Sequence, residues 1–221
     1  MDNTGGSKSE ERPDGQIGNA TPPHQDTMQV CLSGHKITGH YEENPESRRE
    51  RCANCGEPFP WSKAEEKEFL AKDYGTADIS KLLIDDDLKN IIQDRLDEAE
   101  LCLRARAPLS AVIACGSAVE GMLYAYACNN MKLYNQAKAA PKDKNGKVRP
   151  FDDWTLEDLI NVAKEVSHID EGAKKFAQPL RDFRNYVHPR QQLKEAFNPD
   201  LAMAEVCYQV AKLIISNLEQ S

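Results

Sequence analysis

The chain has 221 residues, a formal net charge of -8 and 40% hydrophobic residues, enough for one helical domain or for a small module joined to a larger one. This acidic balance argues against a protein that binds polyanions over its whole surface. Residues 84–221 nevertheless hold 18 basic against 21 acidic side chains, a difference of -3, so the C-terminal part is nearly neutral.

The N-terminus and the cysteines indicate a cellular compartment. No run of 18 apolar residues occurs, and the opening MDNTGGSKSEERPDG lacks the basic start and the apolar stretch of a signal peptide. Seven cysteines are an odd number for a disulfide framework. We therefore expect a cytoplasmic protein, with reduced thiols at the four cysteines that fall in helical patterns: Cys102, Cys115, Cys128 and Cys207.

Three segments precede the long helices. Residues 1–27 are rich in Gly, Pro, Ser, Asn and charge and have almost nothing to bury, which predicts a disordered tail. Residues 28–60 contain a cluster of cysteine and histidine. Residues 61–84 begin with WSKAEEKEFLAKD, which predicts a short helix capped by Ser62, with Glu65 completing a capping box. We interpret this third segment as a helical linker.

Apolar residues recur at three- and four-residue steps from about Asp85 onward, the period of an α-helix. The first helix is expected to bury Leu88, Ile91, Ile92, Leu96, Ala99 and Leu103. Pro108 can begin a helix, and the segment after it, LSAVIACGSAVEGMLYAYACNN, is apolar almost throughout. This second helix is therefore predicted to lie at the centre of the fold.

The remaining sequence predicts three more helices and, after residue 60, no strand with a two-residue period. Thr155, with Asp158 three residues later, is typical of a helix N-terminus, and that helix should run to about Val166. The next helix spans about 171–188, and the last starts at Asn198 and Pro199. The fold class is therefore mostly α, with a helical bundle over residues 85–221 behind a small metal-binding module.

Two ligand pairs, CLSGH and CANCG, stand sixteen residues apart and supply Cys31, His35, Cys52 and Cys55. The two-residue gap between Cys52 and Cys55 lets both thiolates point at one ion, and three thiolates with one imidazole suit Zn²⁺. His40 is an alternative fourth ligand. Because so short a segment has too little core to fold without metal, the zinc is expected to be structural.

A pair of unliganded cysteines in a loop is the alternative reading of this segment. Catalytic zinc would need an open coordination position, which four protein ligands do not leave. The segment resembles the zinc ribbons of bacterial proteins, which implies a docking surface for nucleic acid or for another protein. The residues between the two pairs mix both signs of charge, so they do not identify the partner.

A second cluster of polar residues lies in QPLRDFRNYVHPR, residues 178–190. On a helix, four of them share a stripe about 100 degrees wide: Arg181, Arg184, Asn185 and His188. The stripe flanks a core-facing side that carries Phe176, Leu180, Phe183 and Val187. Pro189 disfavours helical geometry at the residue before it, which predicts that His188 ends the helix. Such side chains can line a cleft, or they can be solvated or paired with acids such as Asp182 and Glu120.

A helical bundle whose second helix carries AVIACGSAVEGML, and which later carries LRDFRNYVHP, resembles a HEPN domain. The resemblance covers about residues 85–220 and implies a bundle of four or five helices. Catalytic members of that family carry an arginine, a polar residue right after it, and a histidine beyond a gap of four to six residues. Arg181, Asp182 and His188 match with six residues between, whereas only three residues separate Arg184 from His188.

The resemblance implies a metal-independent endoribonuclease of bacterial stress or antiviral defence. His188 would be the general acid or base, and Arg181 with Arg184 would bind the scissile phosphate through their planar donors. Asn185 completes the catalytic set, since it and Arg184 resemble the common RN form of the motif, and Asp182 supports it. The resemblance also implies a homodimer in which two such helices share one cleft.

Residues 132–149 hold six basic side chains against one acidic side chain, the strongest local positive charge in the chain. Five of them are candidates for holding an RNA backbone: Lys138, Lys142, Lys144, Lys147 and Arg149. A solvated lysine-rich surface loop is the alternative. Glu120 lies among apolar neighbours in the second helix, where an isolated carboxylate would be costly, so we expect it to pair with Arg181 or Arg184.

Two further functions fit the same residues. A non-catalytic dimeric module would bind RNA or a protein through the bundle while the zinc ribbon docks a partner. A structural helical adaptor would instead keep Arg181, Arg184 and His188 in a buried polar network. No Gly-rich phosphate loop and no Ser/His/Asp set is recognisable, which argues against nucleotide hydrolysis and acyl transfer.

Overall fold

The structure is a computed structural model that describes residues 29–30, 36–37, 63–177, 180, 188–190 and 199–221. Most of these residues are helical, which confirms the mostly α fold class for this part of the chain. Its helices are α1 (Lys63–Ala71), α2 (Asp86–Arg104), α3 (Pro108–Asn129), α4 (Met131–Gln136), α5 (Leu156–Glu165), α6 (Glu171–Ala177) and α7 (Leu201–Leu218). A 3-10 turn, Phe151–Asp153, precedes α5.

The central element is α3, as the apolar sequence predicted. Pro108 occupies its first turn, where the missing N–H costs nothing. Twelve of its side chains or glycines are buried between Ala111 and Ala127. It packs against α2, α5 and α7, while α6 packs against α5 and α7. The core is therefore a helical bundle built around one apolar helix.

Helix α2 presents a narrower buried face than its sequence suggested. The Asp85 side chain caps it by accepting hydrogen bonds from the Asp87 and Leu88 amides. Ile92 is buried against α3, where a Cβ on Gly121 would lie only 3.0 Å from the Ile92 Cγ1. The prediction that Ile91 shares this face is wrong, because Ile91 is 58% exposed. One residue of helix rotates a side chain by about 100 degrees, which carries it beyond the contact.

The segment predicted as a helical linker adds side chains to the same core. Phe69 of α1 is buried and stacks on Phe176 of α6 with ring centroids 3.9 Å apart. Lys175 donates to Glu65 across the same contact at 2.5 Å. Ile79 and Leu82, in the connection to α2, are also buried in the core cluster. Residues 69–84 therefore share their apolar interior with the bundle.

The predicted start of α5 is confirmed. The Thr155 hydroxyl accepts a hydrogen bond from the Asp158 amide, and the Asp158 carboxylate accepts one from the Thr155 amide, which is a complete capping box. The last helix begins slightly later than predicted. Asp200 caps α7 by accepting from the Met203 amide at 2.8 Å, so Pro199 lies outside the helix.

Helices α3 and α7 are long and apolar enough to cross a membrane by length and composition, and 67% and 50% of their most apolar windows are buried inside the protein. The core helix of a soluble protein passes the same test, so the pattern is weak evidence for a span. Cys102, Cys115, Cys128 and Cys207 are free thiols, as predicted. Burial raises the pKa of the Cys115 thiol to about 12.

Candidate functional site

The predicted arginine and histidine cluster is described only at its two ends. Arg181, Asp182, Arg184 and Asn185 lie outside the described residues, as do Phe183 and Val187. On the N-terminal side, Phe176 and Leu180 are buried in the core, as the helical pattern predicted. Because Leu180 is fully buried and directly precedes Arg181, the bundle core holds the chain where the cluster begins.

His188 is exposed and lies at a bend, and Pro189 and Arg190 after it are helical. The prediction that His188 is the last helical residue before Pro189 is therefore wrong, since His188 is not helical and Pro189 is. Proline disfavours the α conformation for the residue before it and suits the first position of a helix, which accounts for the bend at His188 and the helical backbone from Pro189. An exposed imidazole at this place is within reach of a solvent-borne ligand.

Glu120 is half-buried on α3 and takes part in an interaction. Its neighbours in the helix, Val119 and Leu123, are buried in the core. The predicted pairing of Glu120 with Arg181 or Arg184 involves residues outside the described part, so it stays a prediction.

The proposed metal ligands Cys31, His35, Cys52 and Cys55, and the alternative His40, also lie outside the described residues. Near them, a short strand β1 (Gln29–Val30) pairs antiparallel with β2 (Lys36–Ile37), with Val30 opposite Lys36. The chain on the two sides of the segment 31–35 is therefore held together. Elsewhere, the described part of the chain contains no group of three or more His, Cys, Asp or Glu suited to a metal ion.

The basic segment is more ordered than a simple loop. Its first residues form α4, and Lys142 and Val148 form an isolated antiparallel bridge closed by a turn. Asp143 organises this turn, since one carboxylate oxygen accepts from the Asn145 amide at 2.8 Å and from the Lys147 amide at 2.9 Å. Lys138, Lys142, Lys144 and Lys147 are all exposed.

Arg149 differs from the four lysines. It is half-buried, and its guanidinium donates to the Asp158 carboxylate at 3.3 Å. Its carbonyl accepts a hydrogen bond from the Trp154 indole at 2.9 Å. Arg149 therefore joins the end of the basic segment to the N-terminus of α5.

Two sets of contacts made by the basic segment correspond to no motif in the sequence. The Glu165 carboxylate accepts from the Lys138 amide at 2.7 Å and the Ala139 amide at 2.8 Å. These two donors lower the pKa of Glu165. Separately, the Tyr134 hydroxyl lies 2.9 Å from Nδ1 of His168. Sequence reasoning missed both because the partners are 26 to 34 residues apart.

Protein-family models, curated proteins and solved structures were compared with the chain, and none of them matches it.

Proposed function

We propose that this protein is a metal-independent endoribonuclease of HEPN type, acting in the cytoplasm in bacterial stress or antiviral defence. The observation that carries the proposal is the exposed His188 at the bend before Pro189, eight residues after Leu180, whose side chain is buried in the bundle core. The resemblance of LRDFRNYVHP to the family motif, and a mostly helical bundle around an apolar helix, support it.

Cleavage of RNA without a metal uses the neighbouring 2'-hydroxyl as the nucleophile. The enzyme then has to remove the proton of that hydroxyl, protonate the leaving oxygen and stabilise charge on the five-coordinate phosphate. His188 would transfer one of the protons, a contribution of roughly 10² to 10⁴ in rate. The product would be a cyclic phosphate on one RNA end and a free hydroxyl on the other.

Arg181 and Arg184 would bind the phosphate oxygens, because a guanidinium offers a planar fork of donors and stays charged. Asn185 would add a neutral donor beside them. Asp182 and Glu120 would hold the arginines in place. Since one histidine does not easily serve both proton transfers at once, a homodimer with two copies of this segment in one cleft is part of the proposal.

The N-terminal segment would be a zinc ribbon in which Cys31, His35, Cys52 and Cys55 hold a structural ion. The antiparallel pairing of Val30 with Lys36 supports the arrangement, because it joins the chain on both sides of the first ligand pair. Bound zinc would stabilise the fold of the ribbon. The ribbon would serve to dock a partner protein or nucleic acid, while the chemistry stays in the bundle.

The test is cleavage of a mixed-sequence RNA by the purified full chain, beside a DNA of the same sequence. Reactions run with and without EDTA, because the chelator can strip the zinc. His188→Ala is the active-site variant. His168→Gln is the matched control, since it removes a histidine that contacts Tyr134 inside the fold. Thermal melting of all three proteins accompanies the assay.

We expect the wild type to cut RNA and not DNA, with cyclic phosphate ends and in both buffers. His188→Ala should abolish cleavage and melt at the wild-type temperature, while His168→Gln should melt lower and still cut. Wild-type protein that binds the RNA without cutting it would favour the non-catalytic dimeric module. A large loss of melting temperature in His188→Ala would favour the structural adaptor.

A further inference from the structure

We propose that residues 141–149, here called the basic hairpin, form a preorganised docking surface for the phosphate backbone of single-stranded RNA. Lys142, Lys144 and Lys147 would contact the phosphates. This inference rests on the proposed function for the choice of RNA as the polyanion. The contacts that fix the hairpin do not depend on that choice, and the binding test needs no cleavage.

Two backbone hydrogen bonds join the two arms of the hairpin. The Arg149 amide donates to the Pro141 carbonyl at 2.9 Å, and the Asp143 amide donates to the Lys147 carbonyl at 2.8 Å. Gly146 turns the chain with a φ of 78 degrees, which an L side chain rarely adopts. Together with the two bonds accepted by the Asp143 side chain, these contacts fix the turn.

The base of the hairpin is tied to the bundle at two points. Before it, Glu165 of α5 binds the amides of Lys138 and Ala139, and Ala140 is buried in the core. After it, Arg149 binds Asp158 at the start of α5. Arg149 is therefore an anchor of the hairpin, and we do not place it among the RNA contacts.

The three lysines of the hairpin point their charge at solvent. Lys142, Lys144 and Lys147 are exposed, and none of them forms an ion pair within the described part of the chain. The one acid between them is Asp143, and one of its carboxylate oxygens accepts the two amide hydrogen bonds of the turn. The hairpin thus carries a net positive charge on a chain whose total is -8.

Such a surface suits a flexible polyanion. Contacts between lysine and phosphate release counterions from the nucleic acid, and this release provides affinity without reading sequence. A backbone already fixed in the free protein loses less conformational entropy on binding than a mobile loop does. The hairpin would therefore hold RNA of many sequences without itself taking part in cleavage.

The binding test uses a fluorescent 2'-O-methyl RNA, which lacks the nucleophilic hydroxyl and so cannot be cleaved through it. The variant K142Q/K144Q/K147Q removes the charges and keeps the turn, whose hydrogen bonds use backbone atoms and Asp143. The control K67Q/K72Q/K81Q removes three exposed lysines of α1 and the following connection, with the same change in net charge. Gly146→Val strains the turn at its positive φ without changing charge.

The hairpin variant should bind up to about 100-fold more weakly near 0.1 M salt. The slope of log affinity against log salt concentration should become shallower by about 2, as three lost contacts to a single strand predict. Gly146→Val should bind more weakly with the wild-type slope largely retained, and the control should bind as the wild type does. Wild-type affinity in the hairpin variant would overturn the proposal, as would equal losses in the hairpin and control variants.

Polyglutamate is the second probe and represents an acidic protein partner. If the hairpin variant lost binding to polyglutamate while its affinity for 2'-O-methyl RNA stayed unchanged, the assignment to RNA would be wrong. Cleavage is measured separately on unmodified RNA. If the wild type binds RNA through the hairpin but does not cut it, the proposed nuclease activity is wrong and the docking surface remains.

Discussion

The hydroxyl of Tyr134, on α4, lies 2.9 Å from Nδ1 of His168, in the connection between α5 and α6. Tyr134 is fully buried, and the Tyr126 ring meets the His168 ring edge-on at 5.7 Å. Burial raises the pKa of Tyr134 and lowers the pKa of His168. A neutral phenol therefore faces a neutral imidazole near neutral pH, and the pair joins the short helix before the basic hairpin to the bundle.

Tyr134→Phe should lower the free energy of unfolding by about 1 to 3 kcal/mol, because it leaves a partly buried ring nitrogen of His168 without its hydrogen bond. Urea unfolding followed by circular dichroism measures this change. Tyr124→Phe is the matched control, since the Tyr124 hydroxyl binds the exposed Asp152 at 2.6 Å and its loss should cost less. Equal effects of the two variants would show that the Tyr134 bond contributes little.

The same pair predicts how stability depends on pH. Folding lowers the pKa of His168 from 6.5. Above about pH 6.5 the His168 imidazole is therefore neutral in both the folded and the unfolded chain, and the full stability is present. As the pH falls below that value, the unfolded chain takes up the proton first, so stability declines toward the lowered folded pKa. Urea unfolding at pH 7.5 and 5.5, values chosen to bracket about 6.5, should show a smaller decline in His168→Gln. An identical decline in both proteins would contradict the assignment.

Phe69→Ala should destabilise the whole bundle by about 3 kcal/mol, within the usual cost of truncating a buried phenylalanine. The reason is that Phe69 is buried and stacked on Phe176 at 3.9 Å. Thermal and urea unfolding should remain a single transition, because α1 shares the core of the other helices. Leu83→Ala, at a side chain 83% exposed, is the control. A near-zero change for Phe69→Ala would mean that α1 is only a linker.

The chain should carry a single zinc ion, measured by metal analysis of protein purified without added chelator. Cys52→Ser and Cys55→Ser should each lose most of the metal, because a thiolate ligand is removed. Cys128→Ser is the control, since Cys128 is a free thiol on α3. Comparison of His35→Ala with His40→Ala identifies the fourth ligand. Unchanged zinc content in both cysteine variants would leave the pair as unliganded thiols.

Glu165→Gln should release the start of the basic segment from α5. The charged carboxylate accepts from two backbone amides, and these donors lower its pKa. These two hydrogen bonds, here called the clamp, are therefore present above the ordinary carboxyl pKa, and they are lost as the pH falls through the lowered pKa of Glu165. Amide hydrogen exchange should accelerate at Lys138 and Ala139 in the variant. The same rates in Glu157→Gln and wild type would complete the control, and unchanged exchange in Glu165→Gln would contradict the clamp.

Several features of the fold were readable from the sequence because they depend on local chemistry. The apolar run after Pro108 predicted the central helix, since a helix without a polar face has to be buried. Thr155 and Asp158 predicted the start of α5, because a capping box involves residues only three apart. Phe176 and Leu180 followed the helical period into the core.

The tertiary structure decided which of these elements share a core and which polar groups meet. Periodicity placed Ile91 on the buried side, but the width of the contact with α3 leaves it exposed. No local pattern relates Phe69 to Phe176, Tyr134 to His168, or Glu165 to the amides of Lys138 and Ala139, because these contacts join distant segments. By itself, the sequence determined helices, caps and candidate ligands, since they arise from neighbouring residues. Only the packing of the helices decided that Arg149 anchors the basic hairpin while three lysines remain at its surface.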